Sequence, residues 1–285
     1  MHKRGTAKIL SISGHVSIQD VGRLGFQTWG IPIGGSMDAV AAGLANEYVG
    51  NSPDVAVLEI GPGGLSVEVL SKTKICLTGS FDNAYLNEEL LEKCQNISVV
   101  KGDRFTIQNR QRGGYCYLGF AGGIESLKRF GSSSYHPSLD MTPLELGSII
   151  QTGDPTKVST RKELCPEQKN SVFIKVMRGP EFDWLSTSCK IQLFSRHFSL
   201  TEDMSRVGFR LQGPRLPMEY LSEMISSPTF PGLVQLPPSG QPIIFMRDAP
   251  VTGGYPRILI VEEEGINQLA RKKVGDIVKF VLCRL

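Results

Sequence analysis

The sequence predicts a mainly β protein: two barrel-like domains in tandem, with a few short helices. Three observations point there. The 31 glycines and 17 prolines among 285 residues mark many tight turns. Between the turns stand short runs rich in Val, Ile, Leu and Phe, of strand length rather than helix length. A polar stretch, 154–171, rich in Thr, Lys, Glu and Pro and without apolar periodicity, divides the chain near its middle.

In chain order, the first half offers strands at 8–13, 56–60, 65–69, 74–78, 97–100, 104–108 and 115–120. The second half offers them at 172–178, 190–194, 209–211, 232–235, 242–246, 256–261 and 277–282. The best helix spans 38–49, where Val40, Ala41, Leu44, Ala45 and Tyr48 form a stripe at helical spacing. Asp38 can cap its first turn, and Gly50, Asn51 and Pro53 end it. Shorter helices are expected near 218–225 and 263–272. The domains expected are 1–155 and 172–285, with a linker at 156–171. Lys101-Gly102-Asp103 and Val274-Gly275-Asp276 both place a Gly-Asp turn before a strand. Internal duplication and ordinary turn chemistry explain this equally well.

Composition excludes several classes. With 40% hydrophobic residues, 21% charged and a net charge of +3, nothing suggests a nucleic-acid or membrane surface. The apolar runs fall far short of the ~20 residues of a membrane span. The basic start, 1–7, lacks the apolar core of a signal peptide, and a cytoplasmic protein is expected. The six cysteines have no metal-type spacing and read as buried or incidental thiols, and the four histidines (His2, His15, His136, His197) show no ligand pattern. There is no Walker loop, no Gly-x-Ser-x-Gly elbow, no His-Glu-x-x-His and no lysine between two methionines. No metal site is expected.

Four segments carry more Gly, Pro and polar residues than turns require. The first, 17–38, contains Gln19, Asp20, Gly22 and Arg23, then Gly34, Gly35 and Asp38 at the start of the best helix. Such a loop lets backbone amides and Arg23 approach an anion. It could equally be an ordered loop with an Arg–Asp pair, Asp38 occupying the helix donors itself. The second, 117–134, has adjacent Gly122 and Gly123 and the serines 132–134; it is a ligand approach or a bulge. In the third, Arg206 and Arg210 flank Gly208, as a carboxylate clamp or a solvated strand face. The fourth holds a Pro-Pro-Ser-Gly turn, Asp248, and Thr252-Gly253-Gly254-Tyr255-Pro256, which groups a hydroxyl, two amides and a phenol beside a possible base.

Together these segments resemble the allophanate hydrolase subunit 2 family, also called the biotin-dependent carboxyltransferase or KipA-like family. The matching pattern runs Gln19-Asp20-x-Gly22-Arg23, Gly30-x-Pro32, Met37-Asp38, Ala45-Asn46, Val49-Gly50-Asn51, Leu58-Glu59, Tyr117-Leu118, Gly122-Gly123-Ile124, Arg206-x-Gly208-x-Arg210-Leu211 and Thr252 to Pro256. Ten motifs in order over about 240 residues make it specific.

The resemblance implies two cyclophilin-like β-barrels. It also implies a catalytic subunit of an ATP-dependent 5-oxoprolinase complex, which opens 5-oxoproline to L-glutamate. The implied partners are two further subunits, one KipI-like and one of the LamB/YcsF type, with ATP used by the assembly. Two alternatives come with the family: the carboxyltransferase half of a biotin-dependent urea carboxylase, or a non-catalytic regulator that binds a KipI-like kinase inhibitor.

Activating an amide needs donors for charge on oxygen and a group to manage the amide proton. By resemblance, Asp38, Arg206 and Asp248 are the catalytic candidates, and Arg23, Thr252, Gly253 and Tyr255 the substrate-binding ones. Gln19, Asp20, Asn46 and Glu59 are expected to hold the loops. The chain departs from the family pattern at Ser133, where an arginine is usual, at Met204–Val207, at Pro250-Val251, and at 138–143.

Overall fold

A computed structural model describes residues 6–109, 114–154, 171–218 and 224–283. Spatial proximity divides the chain into one unit of Met1–Arg23 with Gly34–Gln168, and a second of Leu24–Ile33 with Lys169–Leu285. The linker expected at 156–171 lies, apart from Ser171, outside the described residues, as does most of the helix expected at 218–225.

The first unit runs β1 (Ala7–Gln19), α1 (Ala39–Tyr48), β2 (Val57–Val69), β3 (Thr73–Gly79), β4 (Asn83–Leu86), β5 (Glu89–Leu90) and β6 (Ile97–Val99). It continues with β7 (Arg104–Asn109), β8 (Cys116–Phe120), β9 (Ile124–Glu125) and β10 (Ile149–Thr152). These ten strands form one sheet along the path β5-β4-β7-β2-β1-β10-β9, with β8 joining β2 to β3 and β6 beyond β3.

The two strands expected at 56–60 and 65–69 are one, β2, antiparallel to β1 through register shifts after Ile9 and after Gly14. Gly61 to Gly64 is therefore no turn. The backbones touch there: a Cβ on Gly14 would stand 1.8 Å from Pro62 O, and one on Gly63 would stand 2.0 Å from Ser13 O. Only glycine permits that approach.

The core beneath gathers Ile9, Leu58, Ile60, Val67, Phe105 and Leu118. Helix α1 starts and stops as its sequence dictates: Asp38 accepts from Ala41 N, and Gly50 follows in the left-handed region. It packs Leu44, Tyr48 and Val49 against Cys76 and Ala121. A Cβ on Gly119 would meet Ala45 O at 2.7 Å, so a bare backbone seats the helix on β8.

The second unit runs β11 (Phe173–Arg178), α2 (Thr187–Ser195), β12 (Phe198–Met204), β13 (Gly208–Gln212), β14 (Ser227–Pro228), β15 (Leu233–Gln235) and β16 (Ile243–Phe245). Then come β17 (Thr252–Gly253), β18 (Arg257–Val261), α3 (Glu263–Ala270) and β19 (Ile277–Leu282). Seven strands close a barrel in the order β11-β18-β15-β16-β13-β12-β19, while β14 and β17 pair separately. The strand expected at 190–194 is instead part of helix α2. Lys190-Ile191-Gln192-Leu193 alternates like a strand, but Ser186 accepts from Cys189 N and starts a helix that buries Cys189 and Leu193.

The two Gly-Asp turns do match. Asp103 accepts from Val100 N and Asp276 from Lys273 N, three residues back in each case. Cys76, Cys116 and Cys189 are buried free thiols, and burial pushes the Cys76 thiol up to about 12. Cys94 departs from the expectation of buried or incidental thiols, because it is disulfide-bonded.

Candidate functional site

The candidate residues fall into two groups, one in each unit. In the first, Glu59 on β2 is fully buried and accepts from Met37 N at 2.7 Å and from the Tyr117 hydroxyl at 3.1 Å. That hydroxyl in turn accepts from Asp38 N at 2.6 Å. Burial, with the Glu59 and Asp38 carboxylates nearby, pushes the Tyr117 phenol well above its ordinary value, so it stays a neutral donor.

Asp38 itself is fully buried and caps α1. A phosphate at this helix start would meet two carboxylates on the donors it needs. In this geometry the Asp38 carboxylate serves as the N-cap of α1.

Arg23 is also buried. Its Nη2 donates to Ser134 O, and its Nε to Arg129 O at 3.4 Å. The guanidinium is thus held through Nε and Nη2 by backbone carbonyls of the loop at 129–134. Asp20 gathers the serine loop, accepting from Ser132 Oγ (2.5 Å), Ser133 N (2.6 Å), Ser134 Oγ (2.6 Å) and Gly22 N (2.9 Å). Gln19 Nε2 donates to Ser17 Oγ and to Tyr135 O. Asn46 donates to Val55 O and accepts from Asn51, which donates to Phe120 O and accepts from Gly122 N. These contacts fasten both ends of α1 and the loop before it.

In the second unit, Arg206 and Asp248 meet. Arg206 Nε donates to Asp248 Oδ2 and Nη2 to Oδ1, both at 2.8 Å. Their side chains are only 6% and 10% exposed. Arg210 does not join them; it lies exposed, 3.8 Å from Asp203.

Thr252 and Tyr255 are exposed, with Gly253 half-buried between them. Behind that turn stands Gln235, buried, whose Nε2 donates to Tyr255 O at 3.1 Å. Thr229 donates to Pro250 O and its amide to Val251 O, anchoring the turn's approach. Two other acids lie outside the motifs. Glu181 binds Arg257 through both carboxylate oxygens at 2.7 and 2.9 Å, and Glu262 accepts from Cys283 Sγ at 2.6 Å. Gln235 had a sequence signal, a lone amide in the apolar run Leu233-Val234-Gln235-Leu236; Glu181 had none. No group of three or more His, Cys, Asp or Glu suited to a metal occurs among the described residues.

A family described as carboxyltransferase domain, subdomain A and B, matches residues 29–282. The chain belongs to this carboxyltransferase family. Its relatives in the family differ in length. The chain is 33% identical over 284 residues to the C-type subunit of 5-oxoprolinase from Escherichia coli (strain K12), covering 98% of this chain and 91% of that protein. It is 30% identical to the Haemophilus influenzae counterpart of that 5-oxoprolinase subunit, over 95% and 89%.

Urea amidolyase of Saccharomyces cerevisiae matches at 27% over 97% of the chain, which spans 16% of that longer protein. Among solved structures, TTHA0988 superposes with a TM-score of 0.86 at 26% identity, covering 97% of the chain and 55% of TTHA0988. The Kluyveromyces lactis urea carboxylase gives 0.89 at 24% over the whole chain and 28% of that enzyme, a likeness of fold alone. No described helix of this carboxyltransferase-family chain is long and apolar enough to cross a membrane.

Proposed function

We propose that the chain is the C-type subunit of an ATP-dependent 5-oxoprolinase, opening 5-oxoproline to L-glutamate with a KipI-like partner and a LamB/YcsF-type partner in the cytoplasm. One observation carries the reading: the match to the E. coli C-type subunit covers 98% of this chain and 91% of that protein. In this reading water adds to the ring carbonyl carbon, the ring C–N bond breaks, and the departing nitrogen gains a proton to become the amine. A carboxylate held in one orientation manages the nitrogen's proton, and Asp248, fixed by the Arg206 fork, suits that task. Thr252 and Tyr255, exposed on a turn held by Gln235, line the approach. Each half is read as a cyclophilin-like barrel, the closed seven-stranded ring of the second unit supporting this for that half.

ATP does not fit the glycine-rich loop of this chain, because Asp38 and Glu59 already hold the donors there. Nucleotide binding is assigned to the partners.

The test is reconstitution of the chain with both partner types, ATP and 5-oxoproline, scoring L-glutamate. A stable complex without glutamate, or turnover that persists when this chain is omitted, sinks the proposal. A second reading, carboxyl transfer, has its own support in the family description and the urea carboxylase superposition. It requires a biotinylated carrier on another chain, and carboxylation of urea with such a carrier would establish it.

A further inference from the structure

In a closed barrel, strand positions alternate between core and water, and the outward ones are ordinarily polar. On β11 and β19 they are not. Ile174 and Val176 of β11, with Val278 and Phe280 of β19, are buried. The alternate positions are Phe173, Lys175 and Met177 on β11 and Ile277, Lys279 and Val281 on β19. The four apolar ones stay open to water: Phe173 is 53% exposed, Met177 43%, Ile277 45% and Val281 39%. Contiguous exposed apolar surface of this kind marks a place of contact.

The two strands are parallel neighbours, which makes the four residues one patch. Phe173 stands opposite Lys279, and Lys175 opposite Val281, so each lysine faces an apolar residue across the ladder. Ile277 and Met177 extend the patch at its two ends. A lysine stem is itself apolar, so the surface is continuous, with two ammonium groups standing above it. No Asp or Glu lies on either strand. The acids beside their ends, Glu262 and Asp276, accept from Cys283 Sγ and Lys273 N.

That chemistry selects what covers the face. Both strands are paired on each side within the closed barrel, so no partner strand can add to the ladder, and recognition falls to side chains. An anionic lipid surface is drawn by clusters of roughly four to eight Lys or Arg. This face has two, since Arg178 at the end of β11 lies over the Phe182 ring instead. A two-fold contact with a second copy would set lysines against lysines. A protein face with carboxylates among apolar side chains complements both the patch and its charge. We propose that the outer face of β11 and β19 docks a partner subunit whose contact surface is apolar and acidic, its carboxylates meeting Lys175 and Lys279. For the partner's identity this rests on the proposed function, whose KipI-like and LamB/YcsF-type subunits are the candidates; the surface itself rests on the barrel wall.

The test mixes the full chain with each partner type in turn and treats the mixture with a carbodiimide, which joins an amine to a carboxylate in contact with it. The expected product, read by mass spectrometry, is an amide between Lys175 or Lys279 and an Asp or Glu of one partner. The double variant Lys175→Glu/Lys279→Glu and, separately, Phe173→Glu should each weaken that complex tenfold or more at an unchanged melting temperature. Added salt should weaken the wild-type complex as well.

The proposal is overturned if neither partner binds, or if both variants fold and bind as wild type does. It is overturned equally if the two lysines couple only to another copy of the chain, or if the lysine-dependent binding goes to phosphatidylserine vesicles instead of protein. A face-dependent complex that forms no L-glutamate sinks the proposed function and leaves the surface standing. L-glutamate made at the wild-type rate by both face variants does the reverse.

Discussion

Arg206 and Asp248 are joined twice. The Asp248 amide donates to Arg206 O at 2.8 Å, and the Arg206 guanidinium closes on the Asp248 carboxylate through two bonds of the same length. The backbone pairing continues the β13–β16 ladder, where Gly208 faces Phe245. The ladder thus fixes where both side chains start, and the fork fixes where they end. A planar guanidinium on a carboxylate is the arrangement in which orientation is best defined.

That pair is almost out of water, so breaking it and replacing it should differ. Arg206→Met or Asp248→Leu alone strands a buried charge, and each should cost ~3–5 kcal/mol. The double Arg206→Met/Asp248→Leu should lose far less than the sum, because no charge is left behind. Urea unfolding of the four proteins measures the coupling, and additive losses would show that the two side chains act independently. In the reconstituted enzyme, a stable double variant without turnover would assign the pair to chemistry rather than to the scaffold.

Gly253 is held to its size by Gln235. A Cβ there would stand 2.7 Å from Gln235 Nε2 and 3.1 Å from the Thr229 methyl. Gly253→Ala should cost ~1–3 kcal/mol by overpacking. Gln235→Ala alone gives up the bond to Tyr255 O, worth ~1 kcal/mol. Combined, the two should cost less than their sum, since the smaller side chain clears space for the new methyl. Melting temperatures of the three variants decide it, and full additivity would show that the contact does not limit this turn.

How much of this was legible in the sequence depended on whether the signal was local. Helix α1 was, because Asp38, the apolar stripe and Gly50 all sit within one segment. Helix α2 was misread because Ile191, Leu193 and their polar neighbours satisfy a period of two as well as a helix, and only Ser186 tips the balance. The join of β1 and β2 was hidden because Gly61 to Gly64 resembles a turn; its glycines instead answer to Ser13 and Gly14 nearly fifty residues earlier.

At the candidate site, the motifs found Arg206 and Asp248 but not that they pair, since residues 42 apart announce no contact. The partners of Arg23 were hidden for the same reason: the carbonyls it donates to, Arg129 O and Ser134 O, belong to a loop over a hundred residues away.

Asp38 separates two roles that its sequence position suggests equally. As a cap it is replaceable by Asn, which serves that position as well. Asp38→Ala should cost ~0.5–2 kcal/mol in stability, and Asp38→Asn much less. The expected outcome in the reconstituted complex is that Asp38→Asn retains most of its activity, as the carboxylate touches Ala41 N and not an open face. Loss of turnover in a stable Asp38→Asn chain would restore it to the catalytic group.

The acid limb of stability should depend on Glu181. Its carboxyl is held below the ordinary value, first by the side-chain bonds from Arg257 and then, against the opposing effect of burial, by the Arg257 amide and charge. A carboxyl whose folded value is depressed adds stability that is present above its unfolded value, near 4.5, and is lost as pH falls through the folded one. Arg257 shifts upward in the same pairing and stays charged throughout. Glu181→Gln should therefore be less stable than wild type at pH 7, and the gap should close as pH drops below about 4.5. Urea midpoints at pH 7, 5, 4 and 3 test this. A gap that stays constant with pH would mean the pair contributes through packing and neutral hydrogen bonds rather than through charge.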